Sequence, residues 1–265
     1  MLLEPNRPTP FQRTDETVIS CRRVRKAFGG HRVLDGVDCD VPRGAITVIM
    51  GPSGTGKSVL LRHFVGLERP DSGQVLVEGV DVGRMSEKRL LRLRRDMGML
   101  FQDGALFSSM NLYDNVAFPL RRHTRKSERE VREIVSARLG EVGLAGSERK
   151  MPNQLSGGMR KRAGFARALV LEPSILLFDE PDSGLDPVRT ALLCDLIRDV
   201  QRRHRCTAVV ISHDIKAVLD LADHVILLHG GVVVEEGPRE EIRASVHPFT
   251  RQFIHGAVDG PLDMD

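Results

Sequence analysis

The chain of 265 residues lacks any run of about 18 apolar residues, so no segment reaches membrane-spanning length, and its N-terminus lacks the apolar stretch of a secretory signal. We therefore expect a cytoplasmic protein. Cysteine is scarce, and its four positions show neither paired spacing nor zinc-like clustering: Cys21, Cys39, Cys194 and Cys206. This pattern predicts reduced thiols and argues against metal ligation by cysteine.

Excess charge is also missing. The chain has 39 basic and 36 acidic residues, and a net charge of +3 is too small to argue for nucleic acid. Only seven of the 39 basic residues are lysines, a bias towards arginine that indicates a GC-rich genome. With 41% hydrophobic residues, the chain can bury the core of one large domain or two small ones.

Apolar runs show how the chain is organised. Residues 1–16, with three prolines among polar neighbours, are predicted to be a flexible tail, and the folded part starts near Thr17. Segments rich in β-formers run to about Leu76, and residues 45–50 (AITVIM) are typical of a strand buried on both faces. Similar runs follow at 174–178, 208–211 and 225–228, and a shorter one at 232–234. Buried strands alternating with helices predict a parallel α/β sheet.

The middle of the chain has a different pattern. Ser127 can cap a helix with Glu130 three residues later, and apolar residues then recur at steps of three and four up to Val142. We therefore predict a helical subdomain at about 103–165, inserted in the α/β core.

A phosphate loop is the strongest local signal, with the sequence GPSGTGKS. It comprises Gly51, Pro52, Ser53, Gly54, Thr55, Gly56, Lys57 and Ser58. The glycines allow backbone N–H groups to turn towards phosphates, Lys57 can reach the terminal phosphates, and Ser58 offers a hydroxyl to Mg²⁺. The alternative is a glycine-rich turn, which the preceding strand and following helix disfavour.

Two carboxylates, Asp179 and Glu180, end the strand at 174–178. Ligands bind beyond the carboxyl ends of strands in open α/β sheets, so Asp179 can hold Mg²⁺ through water and Glu180 can polarise an attacking water. An ordinary exposed acidic pair is the alternative.

Residues 155–159 read LSGGM, which contains no acid, base or metal ligand. The Ser156 hydroxyl and the N–H groups of Gly157 and Gly158, at the head of a helix, can nevertheless bind phosphate. Two phosphate sites separated by an inserted subdomain are hard to close on one nucleotide.

Together, the phosphate loop, LSGGM and the strand ending in Asp179 and Glu180 resemble the ATP-hydrolysing subunits of ATP-binding cassette (ABC) machines. The resemblance implies an α/β fold, with a RecA-like core, an N-terminal antiparallel β subdomain and an inserted α-helical subdomain. It implies ATP and Mg²⁺ as cofactors. It also implies a head-to-tail homodimer, in which each ATP lies between one subunit's phosphate loop and the other subunit's LSGGM segment at 155–159, called the signature below. The ABC domain would span 17–245, and a C-terminal extension at 246–265 would contact the other subunit.

The same resemblance gives roles to residues that would mean little alone. Gln102, after a short predicted strand at 97–101, would contact Mg²⁺ and water, while its loop touches the membrane partner. His213 would sense the γ-phosphate, and Phe28 would stack on adenine; their alternatives are a structural histidine and a core aromatic. Asp186 would cross the dimer interface, although with Pro187 it also makes an ordinary helix cap.

The implied sites fall into four groups. The catalytic residues are Glu180, His213 and Gln102; the Mg²⁺ ligands are Ser58, Gln102 and Asp179. Phe28, Asp179 and the eight loop residues from Gly51 to Ser58 bind ATP. Ser156, Gly157, Gly158 and Asp186 meet the ATP of the opposite subunit.

Transport is the predicted function, because ribosome-acting ABC proteins carry two cassettes and chromosome ATPases carry a long coiled coil, neither of which appears here. Met159 and the tail at 253–261 resemble the ATPases of Mce and Mla lipid transporters, and residues 179–189 resemble those of mycobacterial Mce systems. The resemblance implies permease subunits, Mce-type substrate-binding proteins and a place on the inner face of the cell membrane. Transport of polar solutes such as amino acids or organic anions is the alternative, since Met159 can be neutral and the tail disordered.

Overall fold

A computed structural model describes residues 16–212, 214–258 and 260–262. The strands are β1 (Thr17–Phe28), β2 (His31–Pro42), β3 (Ile46–Met50), β4 (Ser72–Val77), β5 (Val80–Asp81), β6 (Met97–Leu100), β7 (Ile175–Asp179), β8 (Thr207–Ile211), β9 (His224–His229) and β10 (Val232–Pro238). The helices are α1 (Lys57–Phe64), α2 (Glu87–Leu93), α3 (Leu112–His123), α4 (Glu128–Glu141), α5 (Gly157–Leu169), α6 (Pro187–His204), α7 (Ile215–Leu221), α8 (Arg239–Arg243) and α9 (Pro248–His255).

The described residues form two compact units. The first contains those up to Ser86 and from Ile211 onward, and the second is Glu87–Val210. The predicted flexible tail at 1–16 lies outside the described residues except for Glu16.

An antiparallel sheet begins the first unit, with strand order β2-β1-β4-β5. The long strands β1 and β2 pair along their length with several register shifts, and Cys21 lies opposite Cys39 across the pair. Both side chains are buried, and all four cysteines carry free thiols. The predicted antiparallel β subdomain is confirmed.

Parallel pairing also occurs in this unit, between β3 and β9 in the register Thr47 to His224. All five residues of β3 are buried, as its apolar run predicts. On the other side of β9 lies the antiparallel strand β10, which extends to Pro238 instead of ending near Val234. Backbone pairing with β9 continues past the valines, so the acidic residues Glu235 and Glu236 remain in the strand.

The second unit combines helices with the strands β6, β7 and β8. Strands β6 and β7 are parallel, and the backbone N–H of Thr207, at the start of β8, donates to Ser174 O at 2.9 Å. Helices α3, α4 and α5 lie between β6 and β7 in the chain and contact one another. The predicted capping box of α4 is confirmed, with Ser127 and Glu130 each accepting from the other's backbone N–H.

Close packing joins α5 to the β6 region. An added Cβ on Gly98 would lie 2.5 Å from the backbone oxygen of Ala168, and one on Gly164 would lie 2.7 Å from that of Gly104. The rings of Phe165 and Phe178 meet edge to face, with centroids 5.0 Å apart. These contacts pack the second half of α5 closely against β6, β7 and the loop that follows β6.

Helix α9 packs within the first unit, against the end of β9. Phe249 is 2% exposed, and its ring stacks on His229 with centroids 4.6 Å apart. Gln252 of this helix binds the backbone of Leu262 further along the chain. Its Nε2 donates to Leu262 O at 3.0 Å, and its Oε1 accepts from Leu262 N at 2.7 Å. Across the described part of the chain, no helix is both long and apolar enough to span a membrane.

A buried amide holds the loop before α3. Asn115 Nδ2 donates to the carbonyl oxygens of Phe107, Met110 and Asn111 at 3.0 Å each, while its Oδ1 accepts from Phe107 N at 2.8 Å. We expect Asn115→Ala to lower the free energy of unfolding by about 2–4 kcal/mol, because a buried side chain is truncated and four part-buried hydrogen bonds to the loop backbone are lost. Urea denaturation measures this, with the exposed Asn153→Ala as control; equal midpoints for the two variants would contradict it.

Candidate nucleotide site

The phosphate loop follows the buried strand β3 and leads into α1. Gly51, Gly54 and Gly56 have φ values of 149°, 78° and 96°, in the region that L side chains rarely adopt. An added Cβ on Gly51 would lie 1.9 Å from the backbone oxygen of Leu228. The loop therefore needs glycine both for its conformation and for its approach to the neighbouring strand.

Lys57 begins α1 and is buried against its own loop. Its Nζ donates to the carbonyl oxygens of Gly51 at 2.8 Å and Pro52 at 2.7 Å. Thr55 Oγ1 also donates to Pro52 O, at 2.9 Å. The helix has no side-chain cap, and Ser53 and Gly54 are exposed, so the loop presents its backbone to solvent at a helix N-terminus.

Phe28 ends β1, opposite His31 across the two-glycine turn. Its side chain is 44% exposed, and the Lys26 ammonium lies 5.1 Å from the ring centroid. The core alternative is therefore wrong, because an aromatic packed inside the domain would be covered.

Asp179 is the last residue of β7, whose five residues are all buried, and Glu180 follows it directly. Asp179 is 7% exposed, whereas Glu180 is half-buried and has a φ of 51°. A left-handed backbone is uncommon for a residue other than glycine and is often found where function imposes it. The alternative of an ordinary exposed pair does not fit this burial.

Ser183 lies at a junction of contacts. Its backbone N–H donates to Glu180 O at 3.2 Å, which closes a turn. Gln102 Nε2 donates to the Ser183 hydroxyl at 3.0 Å, and the Lys161 ammonium donates to the Ser183 carbonyl. The second unit thus brings Gln102 to the loop that follows Glu180.

The signature forms the head of α5. Ser156 is the N-cap, and its hydroxyl accepts from Met159 N at 3.3 Å. An added Cβ on Gly157 would lie 3.9 Å from the Arg160 guanidinium, and one on Gly158 would lie 3.7 Å from the Leu185 side chain, so at both positions a Cβ would make only ordinary van der Waals contacts. The exposed N–H groups of a helix end are available there for an anion.

Asp186 caps α6, since its carboxylate accepts from Arg189 N at 3.0 Å, and Pro187 is the first helical residue. The predicted helix cap is confirmed. A cavity of about 550 Å³ lies between the starts of α5 and α6 and the end of α4, and its lining includes Ser156, Met159 and Leu185.

The predicted roles of His213 and of the Mg²⁺ ligands stay predictions. His213 lies outside the described residues. Over the described ranges, no group of three or more His, Cys, Asp or Glu side chains could hold a metal ion.

Sequence reasoning missed the contacts of Lys161 and Ser183. Residues 102, 161 and 183 are far apart in the chain, and no spacing links them. The available signal was the rarity of lysine. Only seven of the 39 basic residues are lysines, so Lys161 in the signature helix stands out as a position where arginine was not used.

Comparison with known proteins agrees with these features. A family model described as ABC transporter matches residues 34–183. A Mycobacterium leprae protein named "Probable ribonucleotide transport ATP-binding protein mkl" is 50% identical over 93% of this chain and 71% of its own length. The intermembrane phospholipid transport system ATP-binding protein MlaF of Escherichia coli K12 is 43% identical over 92% of this chain and 91% of its own.

Solved structures show the same fold. CbiO1 from Clostridium perfringens, part of the ABC transporter complex CbiONQ, aligns with a TM-score of 0.80 and 31% identity over 87% of this chain and 92% of that one. A dimeric post-hydrolysis structure of the ATP-binding cassette MJ0796, bound to ADP and Pi, aligns with a TM-score of 0.77 and 30% identity over 83% of this chain and 98% of that one. The chain therefore belongs to the ABC transporter family and is one of its ATP-hydrolysing, nucleotide-binding subunits.

Proposed function

We propose that this chain hydrolyses ATP as a head-to-tail homodimer and thereby drives lipid transport through a membrane permease. The dimer is supported by the absence of any steric need for glycine at Gly157 and Gly158, where a Cβ would meet only ordinary van der Waals contacts. Neither Gly157 nor Gly158 has a positive φ, and the fold has room for a side chain at both positions. Internal packing therefore does not explain these glycines, whereas close approach of a ligand from outside the subunit does.

That ligand is ATP held by the second copy. A chain with a phosphate loop in one unit and an open helix end in the other has two groups that can bind phosphate. In the proposed dimer, Ser156, Gly157, Gly158 and Asp186 of one copy meet the nucleotide bound by the loop of the other. Support comes from MJ0796, a cassette of the same fold that forms a dimer with ADP and Pi bound.

The phosphate loop binds the triphosphate, with Gly51, Gly54 and Gly56 shaping the backbone. Lys57 then exchanges its carbonyl partners in the loop for the terminal phosphates, which are stronger acceptors for an ammonium group. Exposed Phe28 offers its ring to adenine.

The donor set fits Mg²⁺. Ser58, Gln102 and Asp179 offer hydroxyl, amide and carboxylate oxygens, the hard ligands that this ion prefers, and phosphates and waters complete its usual coordination. When bound, Mg²⁺ neutralises charge on the phosphates.

Glu180 orients the attacking water. Its half-buried position at the end of β7 and its left-handed backbone aim the carboxylate from a fixed turn. His213, which lies outside the described residues, is the residue that we propose to sense the γ-phosphate. ATP favours the closed dimer, and loss of the γ-phosphate after hydrolysis favours opening, which delivers work to the permease.

Lipid cargo is supported by two sequence features and one relative. Met159 and the C-terminal segment resemble the corresponding parts of the ATPases of Mce and Mla lipid transporters. MlaF, which aligns with this chain over nearly the whole of both sequences, is named for phospholipid transport. We propose a permease dimer and Mce-type substrate-binding proteins as partners, with the chain on the inner face of the membrane.

Transport of a polar solute is the second candidate, because mkl is named for ribonucleotide transport and is 50% identical to this chain. The identity of the co-purifying membrane subunits discriminates between the two.

The role of Glu180 can be tested by Glu180→Gln. We expect at least a hundredfold lower kcat for ATP hydrolysis and a stable ATP-bound dimer, because the amide cannot polarise water but preserves the fold. Phosphate release and size-exclusion chromatography measure the two effects. The exposed Asp195→Asn serves as control, and parental hydrolysis by Glu180→Gln would refute the assignment.

The partners can be identified by isolating the tagged chain from its own host membranes. We expect integral-membrane permease subunits and Mce-type proteins in the eluate, identified by mass spectrometry, with bound lipid. Recovery of a solute-binding protein for amino acids or nucleotides instead would favour the second candidate.

The C-terminal segment can be tested by removing residues 257–265, a truncation that preserves α9 and the buried Phe249. We expect weaker ATP-dependent dimerisation, because the removed residues are proposed to contact the other subunit. We expect unchanged ATP binding, because the removal leaves the phosphate loop intact. Dimerisation is measured in the Glu180→Gln background, and an unchanged dissociation constant would count against a role for the segment.

A further inference from the structure

The turn after β7 holds Glu180 in an unfavourable conformation. Glu180 has a φ of 51°, and the turn is closed by the bond from Ser183 N to Glu180 O at 3.2 Å. A left-handed residue with a long side chain persists only when surrounding contacts hold it. The contacts that hold this turn therefore control the direction of the Glu180 carboxylate.

Lys161 supplies one such contact from the signature helix. It is only 6% exposed, and its ammonium donates to the Ser183 carbonyl. A buried lysine needs compensating partners, and the carboxylates of Asp182, Asp103 and Glu180 all act on it. Burial lowers the pKa of Lys161, and these three acids, Asp182 first, oppose that shift.

Gln102 bonds the side chain of Ser183, whereas Lys161 bonds its carbonyl. Its Nε2 donates to the Ser183 hydroxyl at 3.0 Å. Ser183 is therefore bound through its carbonyl by α5 and through its side chain by the loop that follows β6, and both contacts lie within the second unit.

We infer that Lys161 is a positioning residue for hydrolysis, which ties the Glu180–Ser183 turn to the signature helix. The inference rests on the proposed role of Glu180 and deepens it. When the head of α5 meets the opposite subunit's ATP, its position is passed through Lys161 to the turn that aims Glu180. Signature engagement and water activation are thereby linked within one subunit.

Lys161 is expected to affect the turnover of ATP and not its binding. The phosphate loop and Phe28 belong to the first unit and Lys161 to the second, so we expect loss of Lys161 to leave the phosphate loop and Phe28 unchanged. Misplacing a catalytic group by about 1 Å costs on the order of a hundredfold in rate. A lysine needed only for folding would instead lower stability without a selective loss of kcat.

The experiment is a graded series at one position: Lys161→Met, Lys161→Gln and Lys161→Arg. We expect Lys161→Met to lower kcat about tenfold or more with KM for ATP within twofold of the parent. Lys161→Gln, which keeps a donor without charge, should be intermediate, and Lys161→Arg should restore most of the rate. Lys150→Met, an exposed lysine of the same unit, is the matched control.

A second arm tests the shared loop. Ser183→Ala removes the acceptor of Gln102 but keeps the carbonyl bound by Lys161, so we expect a smaller loss of kcat. Combined with Lys161→Met it should be non-additive, because both contacts restrain one turn. Thermal unfolding of each variant accompanies the kinetics, and the Lys161→Arg rescue keeps the test decisive if Lys161→Met is unstable.

Parental kcat in stably folded Lys161→Met would overturn the inference, as would a raised KM with unchanged kcat, or failure of Lys161→Arg to exceed Lys161→Met. If Glu180→Gln abolishes hydrolysis while Lys161→Met does not, the proposed function stands and only the role of Lys161 fails. If Glu180→Gln hydrolyses ATP at the parental rate, the assignment of Glu180 fails first.

Discussion

Burial of β3 and β7 along their whole length limits where chemistry can occur in this chain. Every side chain of Ile46–Met50 and Ile175–Asp179 is enclosed, and the backbone groups within each strand are committed to sheet pairing. Polar groups able to meet a ligand can therefore collect only where each strand ends. The phosphate loop begins directly after Met50, and the acidic pair closes β7, so the position of both motifs follows from the strands that precede them.

The two loops meet this constraint in different ways. Beyond β3, glycines make the turn because Gly51 lies too close to Leu228 for any side chain. Beyond β7, a glutamate adopts a left-handed backbone, which needs outside support. Lys161 and Gln102 both donate to Ser183 of this turn, so the turn has hydrogen-bond partners from two other parts of the chain.

The signature shows the opposite condition. The subunit's own packing does not require its glycines. By contrast, Gly98 of β6 and Gly164 of α5 allow close contact between backbones. We propose that a molecule approaching from outside the subunit accounts for the two signature glycines. This physical distinction supports a shared nucleotide in a dimer, and it agrees with the dimeric cassettes of the same fold.

Local rules made much of the chain predictable. The buried strands, the capping box at Ser127, the cap at Asp186 and the phosphate loop each depend on neighbouring residues, so their signals lie within a few positions. The extension of β10 through Glu235 and Glu236 escaped prediction, because pairing with β9 outweighs the low strand propensity of the acids.

By itself, then, the sequence determined which residues could carry phosphate and water chemistry, since loop geometry and helix capping are short-range. Only the tertiary structure decided that Ser183 is bound through both its carbonyl and its hydroxyl, that Lys161 is buried beside acids and that the signature glycines have room for a Cβ. Those facts depend on contacts between residues up to 81 positions apart, which no local pattern encodes.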